Sequence, residues 1–378
     1  MTEREALIAL NRIQGIGAVT VRRIAEALGS VAAMVGRSAE ELRGIPGIGG
    51  ERAALLSRGL APEYAEEELA LAAQKGVALV TWGDEGYPAL LKAIADPPLV
   101  LYVAGEVAAL DTPSVAIVGT RHPSMYGRET AQRFGYQLAA AGYTVVSGLA
   151  EGIDTEAHVG ALKAQGGRTV AVLGGALDCL FPKSNTGLAR KIATGGGAVV
   201  SEYAFGRQPD RQTFPMRNRV VSGLSKGVLV VEAPINSGTL ITANQAVDQN
   251  RAVMAVPGRI DTGSSQGCHR LLKEGARLVT SVEDVIEELQ GLFPARRPQR
   301  AGAGPAVCPR PAEGRPAPNL SEEERAVLAQ VEEEGSHVDA LIRGTGLGAG
   351  KVNAILVSLQ IRRQVRLLPG GFVKRASH

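Results

Sequence analysis

Short apolar runs alternate with amphipathic stretches along the middle of the chain, from Val115 to about Leu289. The runs are VAIVG, TVVSG, TVAVLGG, AVVSE, VLVVEA and AVMAVPG, and helical patterns follow at 124–141, after 154, from 185, from 239 and over 271–289. A buried parallel strand has this apolar character, and alternating strands and helices indicate a parallel sheet with helices on both faces. The pattern predicts an α/β fold with a Rossmann-like doubly wound parallel sheet. Two more strand-like runs between Val77 and Gly105 are predicted to lead into it.

A glycine pattern occurs twice in the first 70 residues, as IQGIG at 13–17 and IPGIG at 45–49. A predicted helix follows each copy, at 19–28 and 51–58. Two helices joined by such a turn resemble the helix-hairpin-helix module, in which glycines permit a tight turn and let phosphate approach a helix N-terminus. Few lysines flank the hairpins, so DNA contact and a purely packing role both remain open.

The end of the chain changes character after residue 293. Proline, glycine, alanine and arginine dominate 294–319 without periodicity, which is typical of a flexible basic linker. Three predicted helices and a hairpin follow, the order of a winged helix, with Ser321 and Glu324 as a capping box. Lys351, Arg362 and Arg363 are the cations available to the third helix. The first helix is acidic, so DNA contact and protein contact remain alternatives.

Four segments result from these patterns. They are a helix-hairpin-helix-like domain at 1–76, a Rossmann-like domain at 77–293, the linker at 294–319 and a winged-helix-like domain at 320–378.

Composition narrows the class of protein without naming its partner. The chain has 378 residues, 45% hydrophobic and 21% charged, with a formal charge of +3. That charge is too small to indicate nucleic-acid binding by itself. Three separated cysteines form neither a disulfide framework nor a metal pattern. No export signal or apolar run of membrane-spanning length occurs, so we expect a cytoplasmic protein without membrane contact.

The turn after the first strand of the sheet is the first candidate site. Gly119-Thr120-Arg121 follows the apolar run, and Ser124 is a candidate helix cap. A cation beside a helix N-terminus favours phosphate binding, although a solvated arginine in a plain turn is the alternative. The GxGxxG fingerprint, the acidic residue at the end of the second strand and a Walker A loop are all missing, which argues against a dinucleotide cofactor and an ATPase.

Several longer motifs together resemble the DNA-processing protein A (DprA, also called Smf) family. The motifs are YP at 87–88 with DPP at 96–98, VAIVGTR at 115–121, SGLAEGID at 147–154 with AH at 157–158, FPK at 181–183, FPMRNR at 214–219, SGTLITA at 237–243 and VPG at 256–258. The resemblance implies a non-enzymatic protein of natural transformation that needs no cofactor. It also implies that the protein binds and protects incoming single-stranded DNA, loads the recombinase RecA, and forms a homodimer through its Rossmann-like domain.

The same resemblance, together with the predicted strand ends, gives a set of DNA-binding residues. A cationic groove that tracks phosphates, with an aromatic face for bases, suits single-strand binding. Arg121, Lys183, Arg217 and Arg219 are predicted to lie at strand ends or in the loops beyond them, with Phe214 or Phe181 for stacking. The full predicted set is Gly119, Thr120, Arg121, Ser147, Gly148, Gly152, Lys183, Phe214, Arg217, Asn218, Arg219, Ser237 and Gly238. Glycines 148, 152, 174 and 175 are expected to admit phosphates, and Ser147 and Ser237 to donate hydrogen bonds.

Two other interpretations accompany this one. The SGT motif at 237–239 and Pro257-Gly258 loosely resemble nucleoside-monophosphate phosphoribohydrolases of the lysine-decarboxylase-like group, which share this sheet. Glu232 would be the catalytic acid in such an enzyme. Asp154 and His158 lie four residues apart on a predicted helix, which suits either an acid–base pair or a packed histidine beside a capping aspartate.

Overall fold

The computed structural model describes residues 1–59, 61–292, 321–331, 336–361, 364–368 and 372–375. The chain divides into two compact units, Met1–Arg297 and Pro298–His378. The predicted linker, together with Arg362 and Arg363, lies outside the described residues. Within the described part, no helix combines the length and apolar character needed to cross a membrane.

In described residues 1–59 and 61–75, the first unit begins with five α-helices. They are α1 (Glu3–Asn11), α2 (Ala18–Leu28), α3 (Ala39–Arg43), α4 (Gly50–Gly59) and α5 (Pro62–Lys75). The two glycine patterns form the turns before α2 and α4, where Gly15 and Gly47 have φ of +83° and +80°. A side chain is rarely tolerated at such angles, which explains the glycine at each turn. The helix-hairpin-helix prediction is confirmed.

In the remaining described residues of this unit, 76–292, the chain forms a nine-stranded sheet with flanking helices. Its elements are β1 (Ala78–Thr81), α6 (Ala89–Lys92), β2 (Val100–Gly105), β3 (Ser114–Val118), α7 (Met125–Ala140), β4 (Thr144–Ser147), α8 (Ile153–Lys163), β5 (Thr169–Val172), α9 (Thr186–Thr194), β6 (Ala198–Ser201), α10 (Thr213–Gly223), β7 (Gly227–Val230), α11 (Gly238–Asp248), β8 (Ala252–Ala255), α12 (Gln266–Lys273), β9 (Arg277–Leu278) and α13 (Val282–Leu292). The strand order is β1-β2-β6-β5-β4-β3-β7-β8-β9.

The sheet is parallel from β6 to β9, and β1 and β2 extend it in antiparallel fashion. The Rossmann-like prediction is confirmed with this addition. Alternate residues of β3 face opposite sides: Ala116 and Val118 belong to one core, Val115 and Ile117 to the other. Both faces are covered, which is why the strands read as continuous apolar runs.

Two local predictions in this unit were wrong. The helix expected over 271–289 is interrupted, because β9 separates α12 from α13. The FPMRNR motif, expected to lie in a loop beyond a strand, forms most of α10. Pro215 is tolerated there because it lies in the first turn, where its missing N–H has no helical partner to lose.

The second unit has the winged-helix order. It contains α14 (Glu322–Ala329), β10 (Ser336–His337), α15 (Val338–Thr345), α16 (Ala349–Ile361), β11 (Val365–Leu368) and β12 (Phe372–Arg375). The capping box at the start of α14 is present as predicted, between Ser321 and Glu324. Lys351, the predicted cation of the third helix, lies 2.5 Å from the Glu323 carboxylate.

Candidate single-stranded nucleic-acid interface

A crevice of about 330 Å³ opens beyond the carboxyl ends of β3 and β7. These neighbouring strands are the point where the strand order reverses, since β4 lies on one side of β3 and β8 lies beyond β7. Doubly wound sheets bind their ligands at such a point. The crevice is lined by Gly119, Thr120, Arg121, Gly148, Phe214, Arg217, Asn218, Ser237 and Gly238, among others. The structure therefore brings nine of the predicted residues to one cavity.

Arg121 lies at the mouth of this crevice. Its side chain is exposed and has no ion pair or side-chain hydrogen bond to any other part of the chain that the structure describes. Its guanidinium carbon lies 5.3 Å from the centroid of the Phe214 ring. An unpaired cation held over an aromatic ring remains free to meet a phosphate.

An aromatic pair forms the adjoining wall. The Phe214 ring is partly buried and packs over Gly174, where an added Cβ would lie 2.7 Å from the ring. The Phe181 ring lies 6.0 Å from that of Phe214 and is 49% exposed. Phe181 therefore offers the accessible face, whereas Phe214 is held between Arg121 and Gly174. Lys183, also exposed, begins the short turn that follows Phe181.

Arg217 has a structural position in the floor of the crevice. Its side chain is buried, and Nη1 donates to the carbonyl oxygens of Gly148 and Val172. Burial lowers the pKa of Arg217, and nearby Asp154 opposes that shift. The guanidinium thus ties α10 to the ends of β4 and β5. The prediction that Arg217 extends from a loop was wrong, because its helix directs it into the floor. Asn218 lines the crevice beside it and accepts a hydrogen bond from Arg217 Nε.

The glycines of the SGLAEG motif serve contacts within the protein. An added Cβ at Gly148 would lie 2.6 Å from Arg217 Nη2, and one at Gly152 would lie 2.4 Å from the Thr120 carbonyl oxygen. The sides expected to admit phosphate are therefore filled by protein atoms. Ser147 is also committed, since its buried hydroxyl donates to the Ile117 carbonyl oxygen at 2.6 Å.

Asp154 and His158 do not hydrogen-bond to each other. Asp154 accepts hydrogen bonds from the backbone N–H groups of Gly148 and Ala150, and burial raises the pKa of its carboxyl. Buried His158 pairs through Nδ1 with the Thr169 hydroxyl at 2.7 Å, and burial lowers its pKa to about 3. The capping position belongs to Gly152 rather than Asp154. Both residues act in packing, which favours the packed-histidine interpretation.

The start of α11 also lines the crevice. Ser237 is its N-cap residue and makes no side-chain capping bond, and its buried Oγ has no partner in the described part of the chain. Gly238 is exposed, with open space where a Cβ would lie. The free N–H groups of this first turn are available to an anion.

Arg219 does not reach the crevice. It lines a separate cleft and is paired with the carboxylates of Glu202 at 2.6 Å and Asp96 at 3.3 Å. Arg217 and Arg219 are two residues apart on α10, which directs their side chains about 200° apart around the helix. The expectation that these cations lie together was therefore wrong.

Glu232, which the sequence offered only as a candidate catalytic acid, contacts the Arg121 loop. This buried residue accepts a hydrogen bond from Thr120 N through its carbonyl oxygen at 2.7 Å. Its Oε2 accepts from Ser124 N and Ser124 Oγ, both at 3.0 Å. The position just after a strand was a signal for function, but only the structure shows that it contacts the Arg121 loop.

Three family profiles match the chain. The profile described as DNA recombination-mediator protein A matches residues 78–290, the DprA winged helix domain matches 311–371, and a SAM-like helix-hairpin-helix tandem matches 7–61.

Similar proteins span most of the chain. Protein Smf of Escherichia coli is 40% identical over 79% of this chain and 78% of its own, and Protein Smf of Synechocystis is 33% identical over 98% of both. Among solved structures, DNA processing protein A from Streptococcus pneumoniae matches with a TM-score of 0.61 at 34% identity, over 76% of this chain and 98% of that one.

A second solved structure concerns DNA binding. DNA processing protein A from Helicobacter pylori, described for its single-stranded DNA binding mode, matches with a TM-score of 0.51 at 31% identity, over 57% of this chain and 96% of that one. The profile match covers more than half of the chain, and its flanking modules match in the expected order. This chain belongs to the DprA/Smf family.

Proposed function

We propose that the protein binds single-stranded DNA through the crevice and acts as a recombination mediator in natural transformation. The observation that carries this proposal is the exposed, unpaired Arg121 held over Phe214, beside the accessible Phe181 ring. A cation and an aromatic face side by side suit single-stranded DNA, because its phosphates and its bases are both accessible. The structure of the Helicobacter pylori relative is described for its single-stranded DNA binding mode, which supports single-stranded DNA as the ligand proposed for this protein.

A salt titration with a labelled oligonucleotide tests the binding site. Arg121→Ala is expected to weaken single-strand affinity roughly tenfold, as loss of a charged hydrogen-bonding group does. It is also expected to reduce the salt slope by about 0.7, the value for one phosphate contact on a single strand. Arg168→Ala is the matched control, because exposed Arg168 lies just before β5, at the amino-terminal end of that strand, whereas the crevice lies beyond the carboxyl ends. Equal behaviour of the two variants would remove the crevice assignment.

Three further activities belong to this proposal. The protein protects bound DNA from exonuclease, loads RecA onto it, and forms a homodimer through the sheet unit, whose exposed apolar side chains include Ile260 and Val247. Nuclease protection, RecA filament formation on coated strands and sedimentation test them separately. We propose that these activities take place in the cytoplasm.

We also propose that the protein is not an enzyme. The contacts of Glu232 with Thr120 and Ser124 account for this buried residue without a catalytic role. Incubation with AMP is expected to release no adenine. Turnover that disappears in Glu232→Gln would favour the phosphoribohydrolase alternative instead.

A further inference from the structure

Glu232 contacts the Arg121 loop at two places. Its carbonyl oxygen holds Thr120 N, one residue before Arg121, and its carboxylate holds Ser124 N and Oγ, three residues after it. The side chain is buried, and the carboxylate lies at the N-terminus of α7, where the helix dipole favours negative charge. One residue of the β7 end therefore fixes both sides of Arg121.

Neighbouring residues are fitted to this contact. Ser124 caps α7 by accepting from Gly127 N at 3.1 Å while donating to Glu232. An added Cβ at Gly127 would lie 1.9 Å from Glu232 Oε2, so only glycine leaves room for the carboxylate. On the far side, the Thr120 carbonyl oxygen accepts from Ile153 N at 3.2 Å.

We infer that Glu232 is a positioning residue for single-strand binding: its carboxylate fixes the loop that presents Arg121 at the crevice. The inference rests on the proposed function. It makes a prediction opposite in sign to simple electrostatics. Removing a carboxylate near a phosphate-binding cation should tighten DNA binding by Coulomb attraction alone. Loss of positioning should weaken it, because Arg121 would no longer be held in place before DNA arrives.

Oligonucleotide affinity in four variants of the full chain tests this. Glu232→Ala is expected to weaken binding about as much as Arg121→Ala, roughly tenfold. It should have little further effect when combined with Arg121→Ala, because both changes remove the same contact. Glu232→Gln should bind nearly as wild type, since the amide oxygen still accepts from Ser124. Tighter binding by both Glu232 variants, or additive losses in the double variant, would overturn the inference.

Hydrogen exchange separates this outcome from failure of the proposed function. Faster exchange at the Ser124 amide is expected in Glu232→Ala, whether or not DNA is bound. If wild type binds no single strand, the proposed function fails; if wild type binds and that amide exchanges equally slowly in the variant, only the positioning role fails. Should Glu232→Ala not fold, Ser124→Ala and Gly127→Ala disturb the same contact and should weaken binding, with Gly187→Ala as control. Unchanged affinity in both would overturn the inference.

Discussion

Gly148 is the residue on which the crevice floor depends most directly. Its N–H donates to Asp154, its carbonyl accepts from Arg217, and the space beside its Cα holds the Arg217 guanidinium. A methyl group there must displace a buried charge or the backbone that holds it. The residue therefore limits how the floor can vary.

Gly148→Ala is expected to lower the free energy of unfolding by about 1–3 kcal/mol, the usual cost of overpacking. Gly187→Ala is the control, because Gly187 lies in α9 with no atom within 4 Å of an added Cβ. It should leave stability unchanged or raise it by up to about 1 kcal/mol. Urea denaturation measures both. Equal changes in the free energy of unfolding for the two variants would show that the Arg217 side chain can move aside for the added methyl group at no cost.

His158 gives the fold a pH dependence of known sign. Burial lowers its pKa to about 3, below the unfolded value of about 6.5. Between these values the unfolded chain binds the extra proton, so acid favours unfolding. Its contribution to stability is complete above pH 6.5 and falls by about 1.4 kcal/mol per pH unit toward pH 3. His158→Gln should show a shallower loss below pH 6.5 than wild type in denaturant titrations. Exposed His122→Gln should follow wild type, and parallel curves for all three proteins would contradict this account.

The position of Arg121 at the mouth of the crevice was predictable, because it depends on local signals alone. A glycine after an apolar run places the next residues at the carboxyl end of a strand. Arg217 was harder, because its direction depends on α10 being helical and on which side of that helix meets the sheet. The sequence pattern placed this motif in a loop beyond a strand, and a loop does not fix which way its side chains point.

At the scale of elements, α10 separates two environments. Phe214 and Arg217 line the crevice, whereas Met216 and Arg219 line a cleft of about 820 Å³ beside the first hairpin. A strand-like interpretation of the motif places its cations together, whereas a helical one separates them. The alternation of strands and helices was enough to predict the parallel sheet. Which side of α10 faces the crevice could be learned only from its tertiary contacts.

Arg219→Met is therefore expected to affect stability rather than DNA affinity. It would leave the largely buried Glu202 carboxylate without its partner, a change that typically costs about 3–5 kcal/mol. Calorimetry should show a lower Tm, while single-strand affinity stays close to wild type. Adding Glu202→Gln should recover part of the loss, because the unpaired charge is removed. A large fall in affinity with unchanged Tm would place Arg219 in the interface instead.

At the scale of the molecule, the helices and the sheet of the first unit share a core. Alternate residues of β2 face different cores: Val100 and Tyr102 pack with the N-terminal helices, whereas Leu101 and Val103 pack with the main sheet core. Leu79 and Leu99 join the helical side. The sequence boundary at residue 76 follows a real change of pattern, but pattern alone does not show which apolar surface covers which. That boundary stays a prediction about folding units.

Removal of residues 1–76 is expected to destabilise the sheet, because it uncovers side chains whose burial is worth about 1.5–3 kcal/mol each. The fragment 1–297 keeps this core intact and corresponds to one compact unit. Calorimetry should therefore give fragment 1–297 the Tm of the main transition of the full chain, and fragment 77–297 a much lower one or aggregation.

Asn11 Nδ2 donates to the Glu202 carbonyl oxygen at 2.8 Å, so removal of residues 1–76 should also loosen the loop before α10. The single-strand affinities of the two fragments should be compared at a temperature below both unfolding transitions. At that temperature a difference in affinity reports on the binding site and not on unfolding of the sheet. Equal Tm values would mean that the sheet folds without its helical cover and that the boundary at residue 76 divides independent domains.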